Sequence, residues 1–218
     1  MEKAKKLMQI NSSGVVAVIR RQRSEDVLPL AEALVKGGVT TLEITVDSDR
    51  SYQLIGEVKK HLGTTALVGA GTVLDAETAH TAIQAGADFI FSPTFNTDLI
   101  EMTKRYGVIS IPGVLTPSEM VEAYQAGADL VKIFPASAFG PSYIKDLQGP
   151  LGHIPMIPTG GVNVENIGTY IANGAVAAGV GGSLVKQQFI DDQDFESITT
   201  LAEQFTEAVK QARTESES

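Results

Sequence analysis

A short pattern recurs along the chain: a helical stretch ends on Gly-Gly, or on Gly-Ala after Ala or Asn, and a β-rich apolar run follows within a few residues. Its four copies lie at 37–38, 85–87, 126–128 and 173–175. Glycine supplies the left-handed residue that ends many helices, so each copy predicts a junction between a helix and the next strand. An internal repeat of this kind favours folds that are built around a parallel sheet.

The predicted strands support the same reading. There are eight of them: 15–20, 42–46, 66–72, 89–93, 108–114, 130–134, 155–159 and 177–181. Stretches with apolar residues at helical spacing separate them. Eight strand–helix units in 218 residues match a (β/α)8 TIM barrel of the α/β class, and we predict that fold as a single domain over 15–210. The alternative is a doubly wound open sheet, which usually has fewer strands and an early glycine-rich turn.

Composition narrows the possible partners. The formal net charge is −9 and no block of Lys and Arg is present, so we expect no nucleic-acid partner. No apolar run approaches the ~20 residues of a membrane span, so we expect no membrane partner. The absence of cysteine fits a reducing compartment, and we expect a cytoplasmic protein. The polar residues 211–218 are predicted to form a disordered tail.

Two copies of the repeat differ at one informative position. Three places after the Asp of each copy, the first has Phe91 and the second has Lys132, within an otherwise apolar run. A buried lysine is rare and costly unless it is paired or neutral. Lys132 is therefore either an ion-paired or rim-exposed lysine, or an amine whose pKa is lowered by burial and which forms a Schiff base with a carbonyl.

Glu43 is a second polar residue inside a predicted strand. It lies between apolar Leu42 and Ile44, so strand alternation places it on the barrel interior with Thr45. A carboxylate there needs a partner, and Lys132 is the candidate. The pair is either a structural salt bridge or an amine nucleophile with a general acid–base, which imine formation and carbon–carbon cleavage require.

An anion site is also predicted, at the ends of several strands. Barrels often bind phosphate at the loops after strands seven and eight, where glycines let backbone N–H groups approach the anion. These loops carry Thr159, Gly160, Gly161, Gly181, Gly182 and Ser183. Arg20 ends strand one and would add local positive charge, although a solvated arginine is equally consistent with the sequence. Thr72 ends strand three at the same rim.

No metal site is predicted. The three histidines, His61, His80 and His153, have no partner at the spacing of metal ligands. We also find no Ser-His-Asp arrangement. We expect no metal and no other cofactor.

Seven motifs, taken in order, resemble those of one known family. They are LEIT with Glu43, GAGTV with Thr72, SP at 92–93, IPGVLTPSE, VKIFPA with Lys132, IPTGGV and GVGGSLV. The family is the 2-keto-3-deoxy-6-phosphogluconate (KDPG) / 4-hydroxy-2-oxoglutarate (KHG) aldolases, and the resemblance runs from about residue 15 to residue 185. It implies a homotrimeric (β/α)8 class I aldolase, independent of metal, that splits a small keto-acid phosphate or a related α-keto acid into pyruvate and an aldehyde. It also implies that residues 1–14 form an N-terminal helix over the bottom of the barrel.

The resemblance further implies a role for each site residue. Lys132 would be the Schiff-base lysine, and Glu43 would transfer protons through water. Residues around the pyruvyl portion would be Arg20, Thr72, Pro93 and Thr159, and those around the phosphate Gly160, Gly161, Gly181, Gly182 and Ser183. Asp47 departs from the family, because many members have an arginine there; in members without it, an arginine on strand one like Arg20 is the expected anion ligand.

Three alternatives stay open. The first is the same chemistry on the 6-phosphogalactonate epimer or on another keto acid. The second is a phosphate-binding barrel isomerase or epimerase, in which Lys132 only balances charge. The third is a barrel that binds sugar phosphates as a sensor without catalysis.

Overall fold

The structure, a computed structural model, describes residues 1–216 of the chain. Its strands are β1 (Val15–Ile19), β2 (Thr41–Thr45), β3 (Leu67–Gly71), β4 (Phe89–Phe91), β5 (Ile109–Ile111), β6 (Gly113–Val114), β7 (Val131–Ile133), β8 (Met156–Pro158) and β9 (Ala178–Val180). Its helices are α1 (Glu2–Ser13), α2 (Ser24–Lys36), α3 (Ser51–Leu62), α4 (Ala76–Gln84), α5 (Thr97–Arg105), α6 (Pro117–Ala126), α7 (Pro141–Leu151), α8 (Val164–Ala172), α9 (Gln187–Asp191) and α10 (Phe195–Ser216).

The strands pair in parallel and form two sheets. The larger has six strands in the order β5-β4-β3-β2-β1-β9, and the smaller has three in the order β6-β7-β8. The predicted α/β fold with a parallel sheet is therefore confirmed, whereas a complete eight-stranded barrel is not shown. The predicted strand 108–114 is divided into β5 and β6, because Pro112 lies between them and has no N–H to donate.

The curved sheets enclose an apolar interior. It is filled by side chains from alternate strand positions together with one residue of α1: Ile10, Val16, Leu67, Phe89, Phe91, Ile109, Ile111, Leu130, Ile157 and Ala177. Gly69 makes room for one of the large rings, because a Cβ at that position would overlap with Phe89. A second, larger cluster packs the helices against the outer face of the strands. The interior between the sheets is thus filled by a packed apolar core.

The aspartate of the first repeat copy fastens two helices to the strands. Asp88 is 2 % exposed and accepts a hydrogen bond from the Val68 N–H at 3.0 Å. Its other contacts are ion pairs with Lys6 of α1, at 2.7 Å, and with Lys59 of α3. Because the carboxylate is buried, these partners compensate the loss of its hydration.

The second repeat copy does the same at another strand. Asp129 accepts a hydrogen bond from the Ser110 N–H at 2.9 Å and pairs with Lys3 of α1 at 2.8 Å. Both aspartates lie at the N-terminal ends of their strands. They hold α1 across that end of the fold, where the resemblance places the N-terminal helix.

The prediction of a disordered tail is wrong for 211–216, because α10 continues to Ser216. Val209 and Ala212 are buried against the fold. Arg213 donates to the backbone carbonyls of Asn11, Ser12 and Val176, at 2.5, 3.2 and 2.9 Å. The last two residues of the predicted tail, 217 and 218, lie outside the described residues. Across residues 1–216, none of the helices combines the length and the apolar character that crossing a membrane requires.

The two repeat aspartates provide a matched test of how α1 is held. We expect Asp88→Ala to lower the free energy of unfolding by roughly 3 kcal/mol, because it leaves Lys6 and Lys59 without their buried partner. Asp129→Ala should cost only about 1 kcal/mol, because its side chain is 17 % exposed and it has a single ion-pair partner. Urea denaturation of both variants measures the difference, and equal losses would contradict it.

Candidate active site

A cavity of about 290 Å3 opens at the C-terminal ends of the strands. It is lined by Val18, Arg20, Lys132, Phe134, Thr159, Gly160, Gly161, Val162, Gly179, Gly181, Gly182 and Ser183. All of the predicted site residues except Glu43, Thr72 and Pro93 therefore line one cavity. In barrels and other parallel α/β folds, this end of the strands is where active sites are found.

Lys132 lies in β7 and is only 4 % exposed. Its Nζ lies 4.5 Å from the centroid of the Phe91 ring and 4.6 Å from that of Phe134. The residue that replaces lysine in the other repeat copy is thus its neighbour in space. Burial lowers the pKa of Lys132; the charge of Glu43 opposes this shift and that of Arg20 adds to it. A larger fraction of the amine is consequently neutral, which is the form that attacks a carbonyl.

Glu43 lies in β2 and is fully buried. Gly71 of the neighbouring strand β3 leaves space for its carboxyl group, because a Cβ there would overlap with it. Burial raises the pKa of Glu43 to about 7; the charges of Lys132 and Arg20 oppose the rise and that of Asp47 supports it. At neutral pH the carboxyl is thus close to half protonated, which suits a group that both accepts and donates protons.

A structural salt bridge between Glu43 and Lys132, one of the two interpretations left open by the sequence, is not present as a direct contact. Within residues 1–216, neither carboxyl oxygen of Glu43 has a hydrogen-bond partner, and no salt bridge joins the two side chains. Their charges interact through space. A buried carboxyl without a partner is costly, and such a group is common where a ligand or water completes the site.

Arg20 reaches the cavity from the end of β1 and is held on two sides. Its Nη2 donates to the Thr72 hydroxyl at 2.7 Å, and its Nη1 lies 3.3 Å from Asp47 Oδ2. Thr72 is one of few non-glycine residues with a positive φ, 60°, which turns the chain sharply at the end of β3. The guanidinium group lies on the cavity wall, and within residues 1–216 its Nε has no hydrogen-bond partner, which leaves a donor for an anion.

Two glycine loops form another part of the wall. Gly160 and Gly161 both have positive φ, 95° and 75°, a conformation that residues with a Cβ rarely adopt. Within the described part of the chain, no protein acceptor is found for the N–H groups of Gly161, Gly182 and Ser183. The Ser183 hydroxyl donates to the Val162 carbonyl at 2.6 Å, which ties the two loops together. The unpaired N–H groups are suited to an anion such as phosphate.

Some site residues were missed from the sequence, and one predicted residue lies apart. Phe134 lines the cavity and covers Lys132, and its position two residues along the same strand was the available signal. Val18 and Gly179 line it as small or apolar wall residues that carry no chemical signal. Pro93 is half-buried after β4 and does not line the cavity.

These features define a class of protein. A buried amine with a lowered pKa lies beside a buried carboxyl that titrates near neutral pH, under an arginine and a set of free backbone N–H groups. Such a set of groups is suited to an enzyme that binds an anionic carbonyl compound and attacks it with an amine.

Comparison with known proteins agrees with this class. The family model "KDPG and KHG aldolase" matches residues 7–201. The 2-dehydro-3-deoxy-phosphogluconate aldolase of Treponema pallidum is 35% identical over 89% of this chain and 93% of its own. The 2-dehydro-3-deoxy-6-phosphogalactonate aldolase of Escherichia coli is 33% identical over 91% of this chain and 95% of its own. The KDPG aldolase of Legionella pneumophila, solved with pyruvate as a covalent carbinolamine intermediate, is 31% identical, covers 89% of this chain and 95% of its own, and has a TM-score of 0.83.

The chain belongs to the KDPG and KHG aldolase family. It is accordingly an aldolase, a lyase that cleaves a carbon–carbon bond.

The raised pKa of Glu43 has a consequence for stability. Because its pKa is about 7 in the folded chain and 4.5 ordinarily, the folded state binds more protons between these values, and stability falls as pH rises through this window. Glu43→Gln cannot ionise and should lack this fall. We expect the difference in unfolding free energy between variant and wild type to shift by about 3 kcal/mol, in favour of the variant, from pH 4 to pH 8. Denaturant titrations at both pH values measure it, and parallel profiles would contradict it.

Proposed function

We propose that the chain is a class I aldolase that cleaves 2-keto-3-deoxy-6-phosphogluconate to pyruvate and glyceraldehyde 3-phosphate, or 4-hydroxy-2-oxoglutarate to pyruvate and glyoxylate. The observation that carries the proposal is the position of Lys132, buried in the wall of the cavity with Glu43 close enough to affect its charge. Neither an isomerase nor a sensor that binds through its glycine loops needs this desolvated amine.

The reaction begins at Lys132. Its neutral amine attacks the C2 carbonyl to form a carbinolamine, and loss of water gives a protonated imine. The C4 hydroxyl then loses its proton to a base, the C3–C4 electron pair moves toward the imine nitrogen, and the aldehyde leaves. The resulting enamine is protonated at C3, and water releases pyruvate from the lysine.

Glu43 is the proposed proton carrier in these steps. Its pKa of about 7 allows it to accept the proton of the C4 hydroxyl and return a proton at C3, directly or through one water. Its two unpartnered oxygens leave it free to do so. The aromatic rings of Phe91 and Phe134 exclude water from the amine and keep it reactive.

The other predicted site residues would bind the two anionic ends of the substrate, although Thr72 and Pro93 do not themselves line the cavity. Arg20 and Thr72 would hold the carboxylate beside the imine, with Thr159 and Pro93 packing around the pyruvyl carbons. The N–H groups of the loops at 160–161 and 181–183 would hold the phosphate. The positive charge needed for an anion is thus local, in a chain with a net charge of −9.

Three further properties belong to the proposal. The two sheets would close into a (β/α)8 barrel, since the bond from the Leu130 N–H, just before β7, to the Ser110 carbonyl of β5, 3.4 Å, and the bridge between Thr159 and Gly179 link them. A homotrimer is supported by the family likeness and is testable by sedimentation. A cytoplasmic location stays a prediction from the cysteine-free composition.

The decisive experiment is borohydride reduction in the presence of pyruvate, followed by peptide mass mapping. We expect a pyruvyl adduct on Lys132 and loss of activity, because reduction makes the imine irreversible. Lys132→Met should lose at least about a thousandfold in turnover while remaining folded, since it removes a buried charge and keeps the volume. Lys145→Met, at an exposed lysine of α7, is the matched control and should leave turnover unchanged. Lack of an adduct on Lys132 in the folded protein would overturn the proposal in favour of an isomerase.

A second candidate substrate is the C4 epimer, 2-keto-3-deoxy-6-phosphogalactonate. It is favoured by Arg20 on β1 with Asp47 in place of the family arginine, and by the similarity to the E. coli phosphogalactonate aldolase. The ratio of kcat/KM for the two epimers decides between them. We expect more than a tenfold preference for one, because the C4 hydroxyl must reach the proton carrier in a single orientation. Equal kcat/KM values for the two epimers would show that the site does not distinguish the configuration at C4.

A further inference from the structure

Asp47 joins the loops that follow β1 and β2. Its Oδ2 lies 3.3 Å from Arg20 Nη1 and accepts a hydrogen bond from Arg21 Nε at 3.0 Å. The next residue, Ser48, accepts a hydrogen bond from the Arg21 N–H at 2.8 Å and shares a 3.0 Å hydrogen bond with the Thr45 hydroxyl. The Asp47 carboxylate thus forms ion pairs with two arginines, and the Asp47 side chain is only 24 % exposed.

The consequence for Arg20 is geometrical. Almost half of its side chain is exposed, and an exposed arginine has many rotamers. Asp47 on one side and the Thr72 hydroxyl on the other restrict it to the cavity wall. A ligand group that is held before binding loses less entropy when the anion arrives.

A second observation links Asp47 to the chemistry. The charged groups that act on Glu43 come from three elements: Lys132 in β7, Arg20 after β1 and Asp47 after β2. Arg20 and Lys132 lower the pKa of Glu43, and Asp47 raises it. Asp47 is itself anionic at neutral pH: although burial opposes it, the Thr45 hydroxyl, Arg20 and Arg21 hold its pKa below the ordinary value.

We propose that Asp47 is a positioning residue of the active site, which holds Arg20 in place for the substrate carboxylate and offsets the charge of Arg20 at Glu43. The negative charge at this position then serves to orient the arginine that follows β1 and does not contact the substrate. The inference rests on the proposed function, since it takes Arg20 as the carboxylate ligand.

The test is Asp47→Asn, which keeps the shape of the side chain and removes its charge. We expect KM for the keto-acid substrate to rise about tenfold while kcat stays within about threefold, because Arg20 loses a charge-assisted contact that acts in binding. The acid limb of the kcat/KM profile should move to lower pH, because Glu43 loses a neighbouring negative charge. If the role of Asp47 were merely structural, the substitution would not move the acid limb and would not raise KM while leaving kcat unchanged.

Three further variants sharpen the result. Asp47→Glu keeps the charge and should restore KM to within about threefold of wild type. Arg50→Met removes an exposed arginine that contacts Gln53 and Glu57 and should leave KM and the acid limb unchanged. Asp47→Ser also removes the charge, so the conclusion does not depend on whether a single variant folds. Circular dichroism and Tm measure the folding of each variant.

The outcomes separate this inference from the proposed function. If wild type and Asp47→Asn both form the pyruvyl adduct on Lys132 but share the same KM and acid limb, Asp47 is not a positioning residue and the aldolase proposal stands. If wild type forms no adduct, the proposed function fails and this inference fails with it. Wild-type kinetics in Asp47→Ser would overturn the role of Asp47 in the same way.

Discussion

The burial of one amine organises the functional half of this protein. Lys132 has almost no contact with solvent, and its Nζ lies over the rings of Phe91 and Phe134. Removing an ammonium group from water favours its neutral form. The neighbouring charges then act with little screening, which is why Glu43 and Arg20 both affect it. The cavity, its arginine and its glycine loops are arranged around this group.

The polar side chains at the two ends of the strands differ in whether they have partners. At the N-terminal end, buried Asp88 and partly buried Asp129 form ion pairs with lysines of α1 and α3 and close the interior. At the C-terminal end, Glu43 has no hydrogen-bond partner in the described residues. A buried carboxyl without a partner is unusual, and such a group calls for an explanation such as a ligand or a water. The aspartates of the repeated Ala-Gly-Ala-Asp motif form the ion pairs at the N-terminal end. Lys132, by which the second copy of the repeat differs from the first, lines the cavity at the C-terminal end.

Much of the site was predictable because its residues contradict their local pattern. A lysine and a glutamate inside apolar strands, and glycine pairs after two strands, are visible in the sequence, and the structure brings most of them to one cavity. Phe134 was not assigned, because an aromatic on a strand is ordinary in itself, and Asp47 was noted only as a departure from the family pattern, without a role. Their importance comes from what they contact. The helical continuation to Ser216 was missed because its anchor, Arg213, binds carbonyls of α1 that are just over two hundred residues away in sequence.

The amino-acid sequence by itself determined the order of strands and helices, the side chains that face the interior and the family to which the chain belongs. These follow from period, capping residues and motif order, which are local properties. Only the tertiary structure decided that Glu43 and Lys132 interact without touching, that Pro112 divides a strand, and that Asp47 holds Arg20. Such facts depend on distances of a few ångströms between residues remote in the chain, and burial and charge act over those distances and not along the sequence.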